Sequence, residues 1–283
     1  MIIGTGRSSF PKGMRSDGKI AVIGDIHGRL DALDAALAAV EDRSQTELIL
    51  LGDYVDRGPD SRGVLARLQE IEASAGFRNV VMLPGNHDAM LWAGVARDNA
   101  PAAECWLANG GMELVQKEFF GWDFLAACED IAHALPDQVK KRIEGEMPAW
   151  HQSGDLLFVH AGINPYADSR EFLSRPYIQP MRSGDESESW AWIRSAFLNH
   201  PGPHFGVENE EVIVVHGHTR ILGRGAEELI RASATTLSQG RICLDCSGTA
   251  AALLLQAEGC DFSISVCMAE PKPEAAPGTD GPA

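Results

Sequence analysis

The chain has 283 residues, 45% of them hydrophobic, and its 40 acidic against 24 basic residues leave a formal charge of -16. Such a surface repels polyanions and anionic membranes, so nucleic acid and membrane surfaces are excluded as first partners, and a phosphate ligand would need a field reversed locally by a metal or by arginines. No apolar run reaches the roughly eighteen residues of a membrane span. The N-terminus lacks the apolar stretch of a secretory signal, and six cysteines (Cys105, Cys128, Cys243, Cys246, Cys260, Cys267) make no disulfide framework, so reduced thiols in a cytoplasmic protein are expected.

Residues 1–18 carry Gly, Ser, Lys and Arg without periodicity and are expected to form a flexible lead-in to a domain spanning 19–268. Five segments then share one plan: KIAVIGDIHG, ELILLGDYVDRG, NVVMLPGNHD, DLLFVHAG and EVIVVHGHT. Each is a short Val/Ile/Leu run ending in a turn that carries Asp, Asn or His, which predicts buried strands. Leu30, Leu33, Leu37 and Val40 follow the first at helical spacing, and Val64, Leu65, Leu68 and Ile71 follow the second. Strand, helix, strand, helix, strand predicts an α/β fold with a largely parallel sheet, whose ligands gather at the carboxyl ends of the strands. About 97–150 is mostly helical in pattern and predicts an inserted lobe. RICLDCSGTAAALLLQAEGCDFSISVCM predicts two or three strands with antiparallel turns at Ser247-Gly248 and Glu258-Gly259. The last residues, 269–283, hold four prolines and no large apolar side chain and predict a disordered tail.

The clusters supply candidate metal ligands. Asp25 and His27 lie two apart in one turn, the Asp53 carboxylate has two oxygens and can bridge two ions, Asn86 offers a carbonyl oxygen, and His160 and His218 offer imidazoles. A nitrogen and oxygen set without thiolate suits Mn, Fe, Zn or Co. Two such ions roughly 3.5–4 Å apart clamp the attacking and leaving oxygens of an in-line displacement. Next to Asn86, His87 is placed to protonate a leaving oxygen, and Asp56 to orient it. Arg57, and Arg194 in SWAWIRSAF, are candidates for the phosphoryl oxygens. His216 competes with His218, because VHGHT offers both.

The order GDIHG, GDYVDRG, GNHD, HAG, GHT resembles the phosphoprotein phosphatase family of calcineurin-like metallophosphoesterases, in the style of its small bacterial and phage members. The resemblance runs over roughly 20–265, and WLANGG (106–111) and the stretch around Arg194 look like features of the bacterial branch. It implies a four-layer α-β-β-α sandwich of two mixed sheets. It also implies one metal on Asp25, His27 and Asp53 and a second on Asp53, Asn86, His160 and His218, with manganese the expected ion and iron or zinc also suited. A hydroxide shared by the ions would attack phosphorus while His87, backed by Asp56, protonates the alkoxide. Matching GHT favours His218 over His216.

The chain departs from the family pattern at Asp88, where many members carry Glu; at Pro84, where the larger eukaryotic enzymes carry Arg; at Ile163-Asn164-Pro165 after HAG; and at Arg220, where Pro is common. None is a proposed ligand. The implied substrate is a phosphorylated protein, Ser/Thr above all, or a small phosphoester. The alternative is a symmetrical diadenosine tetraphosphate hydrolase, which shares the ligands but usually replaces the residue at Asp56. A non-catalytic metal-binding scaffold would have lost a ligand or His87.

Blander readings win elsewhere. Any one cluster alone would be a turn or a cap. Cys243-x-x-Cys246 lacks a second close pair and reads as buried thiols. His133, His151, His200 and His204 read as surface or loop histidines, and Arg29 as a helix start.

Overall fold

The computed structural model describes residues 1–74, 76–118, 124–177, 186–202, 206–207 and 210–269. In chain order the elements are β1 (Ile2–Ser9), β2 (Lys19–Ile23), α1 (Leu30–Ala38), β3 (Thr46–Leu50), α2 (Ser61–Ser74), β4 (Asn79–Met82) and α3 (Asn86–Leu91). Then come α4 (Ala100–Trp106), α5 (Met112–Glu118), α6 (Phe124–His133), α7 (Asp137–Ile143), β5 (Trp150–Ser153), β6 (Leu156–Val159), α8 (Ser169–Ser174) and α9 (Ser195–Leu198). The chain continues with β7 (Gly206–Val207), β8 (Glu210–Glu211), β9 (Ile213–His216), α10 (Ala226–Ala234), β10 (Arg241–Cys243), β11 (Ala251–Glu258) and β12 (Asp261–Met268).

Two mixed sheets result. The first runs β1-β12-β11-β2-β3-β4, with β2, β3 and β4 parallel; the second runs β10-β9-β6-β5, with β10, β9 and β6 parallel. The predicted runs are continuous in apolar residues because both faces of each strand are covered. On the inner faces Val22, Ile49 and Val81 share one core with Phe158, Val215 and Ile242 of the second sheet. On the outer face of the first sheet Ala21, Ile23, Leu48 and Leu50 share a core with Leu33 and Leu37 of α1 and Val64, Leu65 and Leu68 of α2. Beyond the second sheet Phe172 of α8 and Phe197 of α9 join Leu157, Val159 and Val214. Burying one such side chain contributes about 1.5–3 kcal/mol. Helix α1 stops at Ala38, so Val40 is buried just past its end instead of in its last turn.

Three expectations are corrected. The lead-in is not loose: β1 pairs along β12 from Ile2 opposite Cys267 to Ser9 opposite Asp261. Its pattern reads as aperiodic because glycines take the positions against α10, where a Cβ on Gly6 would lie 2.5 Å from Ile230 Cγ2. The turn at Ser247-Gly248 is no hairpin, since β10 lies in the second sheet and β11 in the first, so the chain crosses between sheets there; β11 and β12 do form the other hairpin. The helical stretch begins at Asn86, directly after β4, and its residues Trp92, Trp106, Ile131 and Val139 belong to the main core. The expected tail, from 270 onward, and His204 lie outside the described residues.

Candidate active site

Every parallel strand delivers its polar cluster to the same edge. β2 runs into Asp25 and His27, β3 into Asp53, Asp56 and Arg57, β4 into Asn86 and His87, β6 into His160, and β9 into His216 and His218. The turns are tight enough to force side-chain-bearing residues into left-handed backbone: His27 (φ 45), Asp53 (φ 53), Asp56 (φ 71), Arg57 (φ 64) and His218 (φ 63). Among the described residues only Asp98 is a further non-glycine with positive φ. Such conformations cost about 1–3 kcal/mol each and gather where a site over-determines its backbone.

Asp88 does much of that determining. Its Oδ2 accepts from the Asp53 and Gly85 N–H groups (2.8 and 2.9 Å) and its Oδ1 from the Tyr54 N–H (2.9 Å). One buried carboxylate thereby ties the β3 turn to the start of α3. The approach is so close that a Cβ on Gly85 would lie 2.1 Å from Asp53 Oδ1.

Three imidazoles are oriented alike. His27 Nδ1 donates to Val55 O (2.9 Å), His160 Nδ1 to Leu51 O (2.9 Å) and His218 Nε2 to Trp192 O (3.2 Å). A carbonyl can only accept, so each outward nitrogen carries the proton and each inward nitrogen keeps its lone pair. The inward atoms converge: His27 Nε2 stands 3.4 Å from Asp53 Oδ2, and His160 Nε2 stands 3.5 Å from Asp53 Oδ1. Asn86 Oδ1 lies 3.1 Å from His160 Nε2 and 2.9 Å from His218 Nδ1. Ligand atoms of His27, Asp53 and His87 fall within 4.8 Å of one another, as do those of Asp53, His160 and His218. Asp53 belongs to both groups. Asp25 is buried beside the second group, with its carboxylate accepting from the His218 N–H at 3.1 Å.

The electrostatics agree with a cation site. Burial pushes His27 down to about 3 and holds His160 and His218 below the ordinary histidine range, which keeps the inward nitrogens unprotonated. Burial also opposes the Asp53 charge, but the surrounding histidines, His160 foremost, more than reverse this and its carboxyl is held low. Asp25 is pushed well up by burial and by the charges of Asp245 and Asp53. Buried carboxylates this close need positive charge among them. The residues present therefore fit a dinuclear divalent site of mixed nitrogen and oxygen donors. Thiolates stay out of it: Cys243 and Cys246 are buried, with their sulfurs on Thr219 O and Ala251 O (3.3 Å each).

His87 differs from the other three. Its Nδ1 faces Asp56 Oδ2 at 2.7 Å, and although burial opposes its charge, Asp53 and the Asp56 bond raise it above the ordinary range. Arg57 spans two rings, one guanidinium nitrogen on His27 Nε2 and the other on His87 Nε2, both at 2.8 Å. Arg194 is half-buried with Nη1 3.5 Å from Glu186 Oε2, and its charge helps depress His218. His216 turns away from the cluster: its ring packs edge-on against Phe197 (5.1 Å between centroids), and burial pushes it down to about 4.

Two residues escaped the sequence reading. Asp245 is buried at the end of β10, its Oδ1 accepting from the Ser247 N–H (2.7 Å), and its charge acts on Asp25. RICLDCSG follows the strand-then-Asp plan of the five clusters, which was the available signal. Trp106 donates its indole N–H to Asp56, at 3.1 Å from Oδ1 and 3.0 Å from Oδ2.

Strand-end carboxylates and histidines around an Asp shared by two candidate ligand groups define a metal-dependent phosphoesterase type of site. Residues 18–244 match the calcineurin-like phosphoesterases, and the chain belongs to that family. The family uses a dinuclear divalent metal centre.

The chain is 32% identical over 204 residues to a symmetrical bis(5'-nucleosyl)-tetraphosphatase of Acidovorax sp. (strain JS42), covering 70% of this chain and 64% of that protein. It thus spans less than two thirds of that relative's length. It is 38% identical over 91 residues to serine/threonine-protein phosphatase 1 of Salmonella typhimurium (strain LT2), covering 32% of this chain and 38% of that one. A solved serine/threonine phosphatase of Saccharomyces cerevisiae shares the fold, with a TM-score of 0.52 and 16% identity over 92% of this chain and 82% of its own. No helix among the described residues is long and apolar enough to cross a membrane.

Proposed function

We propose that this chain is a phosphomonoester hydrolase acting on phosphorylated Ser or Thr side chains. Asp25, His27 and Asp53 would hold one ion, and Asp53, Asn86, His160 and His218 the other; manganese is the first candidate, with iron and zinc next. When bound, the ions supply an activated water and neutralise phosphoryl charge. The remaining work falls to the chain itself. Arg57, an exposed residue, would move from the two histidines onto the phosphoryl oxygens, and Arg194, whose charge acts on His218, is the second candidate for them. His87 Nε2 is then left to carry the proton for the departing alkoxide, with Asp56 on Nδ1 fixing the ring. The Asp56–His87 pair at 2.7 Å is the observation that supports monoester cleavage, because an alkoxide is a poor leaving group without a proton.

A second reading, symmetrical cleavage of a dinucleoside tetraphosphate, draws support from the 32% identity with the Acidovorax protein. Phosphate release from a phosphoserine peptide and cleavage of diadenosine tetraphosphate, run side by side with manganese and then with chelator, separate the two. Chelator-sensitive release from the peptide is expected to dominate. Faster dinucleotide cleavage would reverse the assignment, and silence on both would leave a metal-binding scaffold.

A further inference from the structure

We propose that Trp106 is a positioning residue for the proton donor: its indole N–H fixes the rotation of the Asp56 carboxylate and, through it, the ring of His87. The proposal rests on the reading of His87 as that donor. Trp106 closes α4 at 1% exposure, and its Nε1 sits between the Asp56 oxygens, 3.1 Å from Oδ1 and 3.0 Å from Oδ2. His87 takes Oδ2 at 2.7 Å. An Asp carboxylate turns about a broad, roughly two-fold torsion, so one bond to His87 would leave its plane free. A donor straddling both oxygens removes that freedom.

The surroundings of the ring show that it does more than fill space. The chain leaves α4 through a wide π-type turn, Leu107–Gly111, kinked at Gly110 (φ 128), which brings Gly110 against Asp56. A Cβ on Gly110 would lie 3.4 Å from Asp56 Cβ and 3.5 Å from Arg57 Cγ, and one on Gly111 would lie 2.4 Å from Trp106 Cε2. The turn therefore clamps the indole from one side while Asp56 holds it from the other, and Asp56 is left with 0% exposure. Phe in that slot would keep an aromatic ring but remove the donor and part of the apolar contact, whereas a benzothiophene would remove the donor alone. A charge-assisted bond shut away from water is of the strong kind, and losing its donor strands a buried carboxylate oxygen.

The test exploits proton demand. Phosphoserine expels an alkoxide that needs a proton, whereas p-nitrophenyl phosphate expels a phenolate that leaves without one. In the metal-loaded enzyme His87→Asn should lose more kcat on the peptide than on p-nitrophenyl phosphate. Trp106→Phe should lose in the same sense, about tenfold more on the peptide. Site-specific 3-benzothienylalanine at position 106, which keeps the ring shape and replaces N–H by sulfur, serves if the Phe variant does not fold. Independently of turnover, the Trp106 indole N–H resonance should exchange slowly in the parent and move in Asp56→Asn. If His87→Asn discriminates between the substrates and the Trp106 variants do not, the proposal is overturned while the proton-donor reading stands. If His87→Asn loses equally on both, that reading fails first and takes the proposal with it.

Discussion

Arg57 touches more of the proposed chemistry than any other exposed side chain, since it bridges His27 and His87 from a left-handed residue of the β3 turn. The residue is exposed, so its guanidinium can exchange ring nitrogens for phosphoryl oxygens from the solvent side. Arg57→Ala should lower kcat/KM for monoesters by about ten- to a hundredfold, because a bidentate charge-assisted contact is lost. Metal content should stay at the parent level, as read by elemental analysis; a fall in bound metal would instead make Arg57 a support for the ligands. The VHGHT pair is decided by surroundings at this same scale. His218 Nδ1 faces Asn86 while His216 packs on Phe197, and the strand's alternation separates two histidines that sequence spacing alone leaves equivalent.

At the element scale, the starts of β3 and β4 in the first sheet meet β5 of the second around Glu47. Glu47 accepts there from Asn79 Nδ2 at 2.7 Å, lies 3.1 Å from His151 Nε2 and 3.9 Å from Arg78 Nη2, and so links the two sheets. Burial opposes its charge, but the bonds from His151 and Asn79 more than offset this and hold Glu47 below the ordinary glutamate range. A depressed carboxyl stabilises the fold above its unfolded pKa and loses that contribution as pH falls through the folded one. Glu47→Gln should therefore destabilise by about 1 kcal/mol at pH 7, with the difference from the parent closing below the ordinary glutamate pKa. Melting curves across pH check it; a constant difference would remove the charge from the account.

The strands bearing the site were readable because burial on both faces leaves them continuously apolar. β1 was not, because its α10-facing positions are glycines that carry no pattern. Nor was the passage from β10 to β11: Ser247-Gly248 announces a turn but not which sheet receives the next strand. Asp88 and Trp106 stood in plain motifs, yet their partners lie on other elements, 35 and 50 residues away in sequence, and only the fold brings them together.

For the whole molecule, the sandwich gathers five buried acids at one edge, Asp25, Asp53, Asp56, Asp88 and Asp245, against the positive charge of Arg57 and His87. Divalent ions should therefore bind the folded chain and not the unfolded one. At a hundredfold excess over Kd they would add about 2.7 kcal/mol. Chelator should lower the melting temperature, and manganese should restore it in a concentration-dependent way. A melting temperature indifferent to both would contradict a resident metal site.

The left-handed backbone of His27, Asp53, Asp56, Arg57 and His218 has a consequence for heat tolerance. At about 1–3 kcal/mol apiece, its total rivals the ~5–15 kcal/mol by which a domain stays folded. The sheets must therefore hold the turns in shape against their own preference. As temperature rises, those turns should relax before the strands beneath them separate. Inactivation should then precede melting, and brief heating followed by cooling should give back an enzyme whose activity returns together with its turns.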